Sequence, residues 1–243
     1  MIPIPVAVAT ILATPAPVLV FDTCSFLDLF RRDIPRQQPR VSSGEINAAA
    51  EILQLVTARP EAAHLVVPEL VPGEYADHAK RIEDEFEDWF RFHDENQDWL
   101  AEAPLWIGLA LPAPLPVHPF GIQASCRKLA EDLLAKAMVL ARDQACLDRA
   151  VVRLIAKRRP SHKKEMKDSM NLEQSLELSH QLQIAAFAPA RVFVSSNTND
   201  FAATATSSVV HPDIQGEFAA AGLEYFTSLR AALGALRARG QLP

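Results

Sequence analysis

The stretch Val18-Leu-Val-Phe-Asp22 decides the expected fold, because four apolar residues there are followed directly by an acid. Its shortness and its valines are typical of a buried strand in a parallel sheet. Similar runs occur at residues 65–67 and 191–195, and a shorter one ends at Phe226. Stretches with helical periodicity, such as residues 46–56, lie between them. We therefore predict an α/β fold with a central parallel sheet of four to five strands flanked by helices.

Composition narrows the class of protein. The chain has 243 residues, of which 49% are hydrophobic and 8 are Gly, so disordered and collagen-like classes are excluded. It carries 24 basic and 30 acidic residues, a formal net charge of -6, so nucleic acid could bind only at a local basic patch. Three cysteines without a CxxC pair fit a reducing, cytoplasmic setting. We expect one domain over residues 1–243, enlarged by a helical insertion at about 83–153.

The N-terminal segment raises the question of a membrane span. Residues 2–21 carry no charge and are long enough to cross a bilayer. Four prolines interrupt them, and no basic residue precedes them as in a signal peptide. We expect no contact with a membrane, and an extended lead-in that ends in the first strand.

Acidic residues stand where the expected strands end. Asp22 follows the first strand, Glu74 lies in the turn out of the second, and Asp200 follows the third. Asp168 opens the helix that leads to the third strand. Each acid alone could cap a helix, make a turn or face solvent, but parallel strands place their carboxyl ends at one edge. Four carboxylates that converge there repel one another, and a hard divalent cation such as Mg²⁺ or Mn²⁺ would resolve the conflict.

Four motifs resemble, in order, those of the PIN domain family. They are Val18-Leu-Val-Phe-Asp22-Thr-Cys-Ser-Phe-Leu27, Val67-Pro-Glu-Leu-Val-Pro-Gly-Glu74-Tyr75, Lys167-Asp168-Ser-Met-Asn-Leu-Glu173 and Phe193-Val-Ser-Ser-Asn-Thr-Asn-Asp200-Phe201. They span residues 18 to 201. Cys24 stands where the family often has Asn, and the long separation of Glu74 from Asp168 resembles larger bacterial PIN-like proteins more than minimal VapC-type toxins.

The resemblance implies a metal-dependent nuclease, usually an endoribonuclease, with the four acids as direct or water-mediated ligands of Mg²⁺ or Mn²⁺. A cation held in this way neutralises the phosphodiester, generates hydroxide and stabilises the leaving oxygen. Glu173 is a candidate extra ligand or base. Three further residues are candidates to orient ligands or a phosphate oxygen: Thr23, Ser195 and Asn197.

A basic segment precedes Asp168 and could draw backbone phosphates to the site. Its members are Arg158, Arg159, Lys163, Lys164 and Lys167. The alternative is an exposed connection between two helices. Glu74 and His78 have a spacing that metal pairs use, but without an HExxH motif we do not expect zinc.

Competing functions remain at this point. An aspartate-nucleophile phosphatase needs a second acid two residues after Asp22, where Cys24 stands. A flap-type DNA nuclease has a chemically similar site. A catalytically silent RNA-binding or antitoxin-binding module is the rival from another class. RNA is the expected substrate, while an antitoxin protein and a second copy of the chain are partners that the sequence leaves open.

Overall fold

The computed structural model describes residues 1–33, 38–39, 42–102, 120–161, 166–204 and 207–243. Its centre is a five-stranded sheet in the order β5-β4-β1-β6-β7, in which all neighbours are parallel. The strands are β1 (Val18–Phe21), β4 (His64–Val67), β5 (Met138–Val139), β6 (Arg191–Val194) and β7 (Glu224–Phe226). Two short strands, β2 (Arg32–Asp33) and β3 (Gln38–Pro39), form a separate antiparallel pair. The predicted α/β arrangement around one parallel sheet is confirmed.

Helices cover both faces of this sheet. They are α1 (Ile4–Ala13), α2 (Thr23–Leu27), α3 (Ser43–Ala58), α4 (Val71–Glu102), α5 (Ile122–Lys136), α6 (Gln144–Ile155), α7 (Met166–Ile184), α8 (Thr198–Phe201), α9 (Pro212–Ala221) and α10 (Leu229–Ala238).

Alternation along the strands divides the interior into two cores. Leu19 and Phe21 of β1 pack with α2, α3, α4, α5 and α10 on one face. Val18 and Val20 point to the opposite face, which α1, α6, α7 and α9 cover. Because β1 is buried on both faces, all four of its residues are apolar.

The N-terminal segment differs from the expected extended lead-in, because residues Ile4–Ala13 form a helix. Pro3 is the N-cap and Pro5 lies in the first turn, where a missing backbone N–H removes no helical hydrogen bond. The apolar face of α1 packs into the second core. Among the described residues, no helix combines the length and apolar character that a membrane crossing requires.

Two other elements depart from the sequence prediction. Within the expected helical insertion, α5 ends at Lys136, and Met138–Val139 then pairs with Val66 and Val67 as an edge strand. The segment 83–153 therefore contains an edge strand of the central sheet, β5, as well as helices. Helix α9 was not predicted. Residues 115–117, whose Leu-Pro-Val sequence would suit a short strand, lie outside the described residues.

Candidate functional site

Asp22 lies directly after β1, at the sheet edge where the strands end. It stands at the N-cap position of α2, but its side chain makes no capping hydrogen bond. Its carboxylate turns inward and is 1% exposed. Ser195, which follows β6, donates its hydroxyl to Asp22 Oδ2 at 2.7 Å. The neighbouring strand thus fixes the orientation of this carboxylate.

Glu74 reaches the same place from the first turn of α4, because β4 and the turn after it lead into that helix. Thr23 donates its hydroxyl to Glu74 Oε2 at 2.5 Å. Thr23 follows Asp22 in the chain, so this contact connects the two acids through neighbouring residues.

Asn171, in the second turn of α7, lies between the two acids. Its Nδ2 donates to Asp22 Oδ1 at 3.4 Å and to Glu74 Oε2 at 3.3 Å. Its side chain is fully buried, and Oδ1 has no hydrogen-bond partner among the described residues. Sequence analysis missed this residue, although it stands one helical turn after Asp168 and so shares a helix face with it.

The electrostatics of this pair are unfavourable. The pKa of Asp22 is raised to about 6, mainly by burial; the charge of Glu74 acts in the same direction and the Ser195 hydroxyl in the opposite one. Within the part of the chain that the structure describes, no Lys, Arg or His forms an ion pair with Asp22 or Glu74. Among the described residues, the side chains that donate hydrogen bonds to these two carboxylates are the neutral Thr23, Asn171 and Ser195.

Cys24 is adjacent to these acids but is not a plausible nucleophile. Burial raises the pKa of its thiol, and the charge of Asp22 adds to that effect. The thiol therefore stays protonated at neutral pH, and the thiolate is the nucleophilic form.

A cleft of about 550 Å³ opens over the site. Three acids contribute to its wall, namely Asp22, Glu74 and Asp168. Two cations, Arg31 and Lys167, line the same cleft. Arg31 also pairs with Asp28 at 3.1 Å, and sequence analysis did not single it out. The cleft thus combines an acidic floor with nearby groups that bind anions.

Asp200 occupies a different position from the one expected. It is buried in the short helix α8, where Asn197 Nδ2 donates to its Oδ2 at 2.7 Å. Asn197 lines the cleft, whereas Asp200 is not among the described lining residues. Among described residues, no group of three or more His, Cys, Asp or Glu stands ready to share a metal ion. The cleft thus brings together three of the four predicted acids, Asp22, Glu74 and Asp168.

Glu173, the candidate extra ligand or base, lies in ion pairs with α6. Arg153 Nη2 contacts its Oε1 at 2.5 Å, and Arg149 Nε contacts its Oε2 at 2.8 Å. The carboxylate lines a separate cavity with Arg158 and Glu217. Both of its oxygens are engaged by arginines of α6, so the charge of Glu173 is compensated away from the site.

The described members of the basic segment lie at different places in the structure. Arg158 pairs with Glu217 at 2.7 Å, and Arg159 donates to the backbone oxygen of Asn199 beside the site. Lys163 and Lys164 lie outside the described residues. Of the described members, Lys167 alone lines the cleft.

Comparison with known proteins adds no further information. No protein family model, curated protein or solved structure matches this chain. The functional interpretation therefore depends on the geometry and electrostatics of the site itself.

Proposed function

We propose that this protein is a metal-dependent nuclease with a PIN-like site, acting as an endoribonuclease on single-stranded or structured RNA. The proposal rests on the buried carboxylate of Asp22, which shares a hydrogen-bond donor, the side-chain amide of Asn171, with Glu74. Among the described residues, no cation forms an ion pair with either acid. Burying charge without an opposite charge costs stability, and such costs are typical of functional sites.

The residues present fit a hard divalent cation. Carboxylate oxygens from Asp22 and Glu74 are the donors that Mg²⁺ and Mn²⁺ prefer, and Asp168 lines the same cleft. The buried Asn171 Oδ1 is a further oxygen without a partner in the described part of the chain. When bound, such a cation supplies charge neutralisation and an activated water for phosphodiester hydrolysis.

The side chains around the acids have roles of their own. Ser195 and Thr23 hold the carboxylates of Asp22 and Glu74 in fixed orientations, which limits their rearrangement on binding. Lys167 and Arg31 would hold a phosphate oxygen of the substrate at the cleft.

One observation favours a second candidate, a catalytically silent RNA-binding module. The described residues contain no ready group of three metal-binding acids, and an amide stands between the two that are close. Such a module would bind RNA through the same cleft cations without cleaving it.

Cleavage assays separate these functions. Labelled single-stranded RNA, hairpin RNA and flap DNA are incubated with Mg²⁺, Mn²⁺ or EDTA. We expect metal-dependent RNA cleavage that Asp22→Asn lowers at least about a hundredfold, a loss typical of a group that stabilises charge in the transition state. The matched control is Asp77→Asn, an exposed acid three residues after Glu74 on α4, which should cleave like the wild type.

Three other results of this cleavage assay would change the proposed function. Cleavage in EDTA, or cleavage that survives Asp22→Asn, would contradict the proposal. RNA that binds but stays intact with either metal would favour the silent module. Preferential cleavage of flap DNA would move the substrate class to DNA.

A further inference from the structure

We propose that Asn171 is a metal-responsive clasp, which holds Asp22 and Glu74 together through Nδ2 and presents Oδ1 to a divalent cation when one binds. The inference rests on the proposed function, because it concerns the same site. The residue that contacts both acids is thus an uncharged one.

The Asn171 carboxamide is weakly held in its present orientation. The two bonds from Asn171 Nδ2 are long, at 3.3 and 3.4 Å, compared with 2.7 Å from Ser195 to Asp22. Nearly all buried polar atoms in proteins have a partner, yet Asn171 Oδ1 has none among the described residues. The carboxamide is therefore held on one side by weak contacts and is unsatisfied on the other.

The Asn171 carboxamide has two orientations of similar shape but opposite polarity. Its oxygen and nitrogen are nearly equal in size, so a half-turn exchanges their positions at little steric cost. Without a cation, Nδ2 belongs beside the carboxylates, because only a donor is favourable there. With a cation between the acids, an oxygen becomes the favourable neighbour. The two orientations therefore respond differently to the cation, which couples amide orientation to occupancy.

A purely structural amide is the alternative, in which Asn171 only joins α7 to β1 and α4. Gln174, three residues later and equally buried, behaves in this way. Its Nε2 donates to Ala141 O at 2.9 Å, and its Oε1 accepts from Glu69 N at 2.8 Å. Gln174 is thus satisfied at both ends, whereas Asn171 is not, and it offers a matched control on the same helix.

The wild-type protein provides the first test through nuclear magnetic resonance. The chain has five asparagines, so ¹⁵N-asparagine labelling gives few side-chain amide signals, and Asn171→Asp identifies the relevant pair. We expect these signals to shift and saturate during Mg²⁺ titration, because the amide loses its carboxylate acceptors. Mg²⁺ binding that depends on Asp22 but leaves the Asn171 signals in place would overturn the inference.

Calorimetric titration with Mn²⁺ provides the second test. We expect Asn171→Ala to bind Mn²⁺ at least about fivefold more weakly than wild type, and Asn171→Asp at least about tenfold more tightly. Gln174→Glu places a charge in the same helix and should leave Mn²⁺ affinity within about twofold of wild type. Unchanged affinity in Asn171→Ala, or no Mn²⁺ binding by the wild type, would overturn the inference. Binding with these shifts but without nuclease activity would support the clasp and refute the proposed function.

Discussion

Asp22 forms no ion pair with a cation among the described residues. Hydrogen bonds from Ser195 and Asn171 orient its carboxylate, while burial and the nearby Glu74 charge oppose ionisation. A residue selected for stability alone would be neutral or paired with a cation at such a place. The stability of the metal-free protein should therefore depend on pH through this one group.

The sign of that dependence follows from the direction of the pKa shift. The pKa of Asp22 rises from 3.8 to about 6 on folding, so the native state binds the proton more tightly than the unfolded chain. Asp22 therefore stabilises the fold when it is protonated, and this contribution is lost as pH rises from about 4 through about 6. A rise in the pKa from 3.8 to about 6 corresponds to about 3 kcal/mol.

Asp22→Asn cannot ionise and should not show this loss. In EDTA, we expect its stability relative to wild type to increase by about 2–3 kcal/mol between pH 4 and pH 7.5. Urea unfolding of both proteins at the two pH values measures the difference. A difference that stays constant with pH would show that Asp22 does not titrate in this window.

Sequence reasoning located Asp22, Glu74, Thr23 and Ser195 because strand ends are visible in the residue pattern. It missed Asn171 because α7 is buried on most sides, with 11 buried residues among its 19, so no polar stripe marks the face toward the site. Asp168 and Asn171 share a face, and sequence alone does not fix which turn reaches the acids.

At the scale of elements, α7 is held by ion pairs on the side away from the site. Arg153 of α6 is 5% exposed and contacts both Glu173 of α7 and Glu217 of α9. Glu173 stands two residues after Asn171, so this network also fixes the position of the clasp. The partners of Glu173 come from other elements, so spacing alone could not predict these ion pairs.

Removing Arg153 should therefore cost far more than removing a surface arginine. We expect Arg153→Met to lower the free energy of unfolding by about 3 kcal/mol, because a buried carboxylate loses a partner. Arg158→Met removes a half-exposed partner of the same Glu217 and should cost less than about 1 kcal/mol. Urea unfolding compares the two variants. Equal costs would mean that burial does not strengthen the Arg153 contacts.

At the scale of the whole molecule, the parallel sheet gathers distant segments at one edge. Strand and helix patterns predicted four of its five strands, because buried runs between helices leave a clear signal. The edge strand β5 and helix α1 were not predicted. Only the pairing of Met138–Val139 with β4 reveals β5, and Pro at a helix start resembles Pro in an extended segment.

The net charge of -6 affects how a polyanion such as RNA would approach the cleft. The chain as a whole repels RNA, so approach depends on local cations such as Lys167 and Arg31. A divalent cation would offset the charge of Asp22 and Glu74 where a phosphate must lie. Cation binding at Asp22 is thus the central claim.

Thermal melting with and without Mn²⁺ tests that claim most directly. Binding to the native state alone stabilises the wild type by about 2.7 kcal/mol at a hundredfold excess over the dissociation constant. For a chain of this size we expect Tm to rise by roughly 5–10 °C. Asp22→Asn should show a clearly smaller rise, and Asp77→Asn the full one. If Mn²⁺ shifts neither the wild type nor Asp22→Asn, and Asp22→Asn melts much earlier without metal, Asp22 is a structural hydrogen-bonding group and the site is not a metal centre.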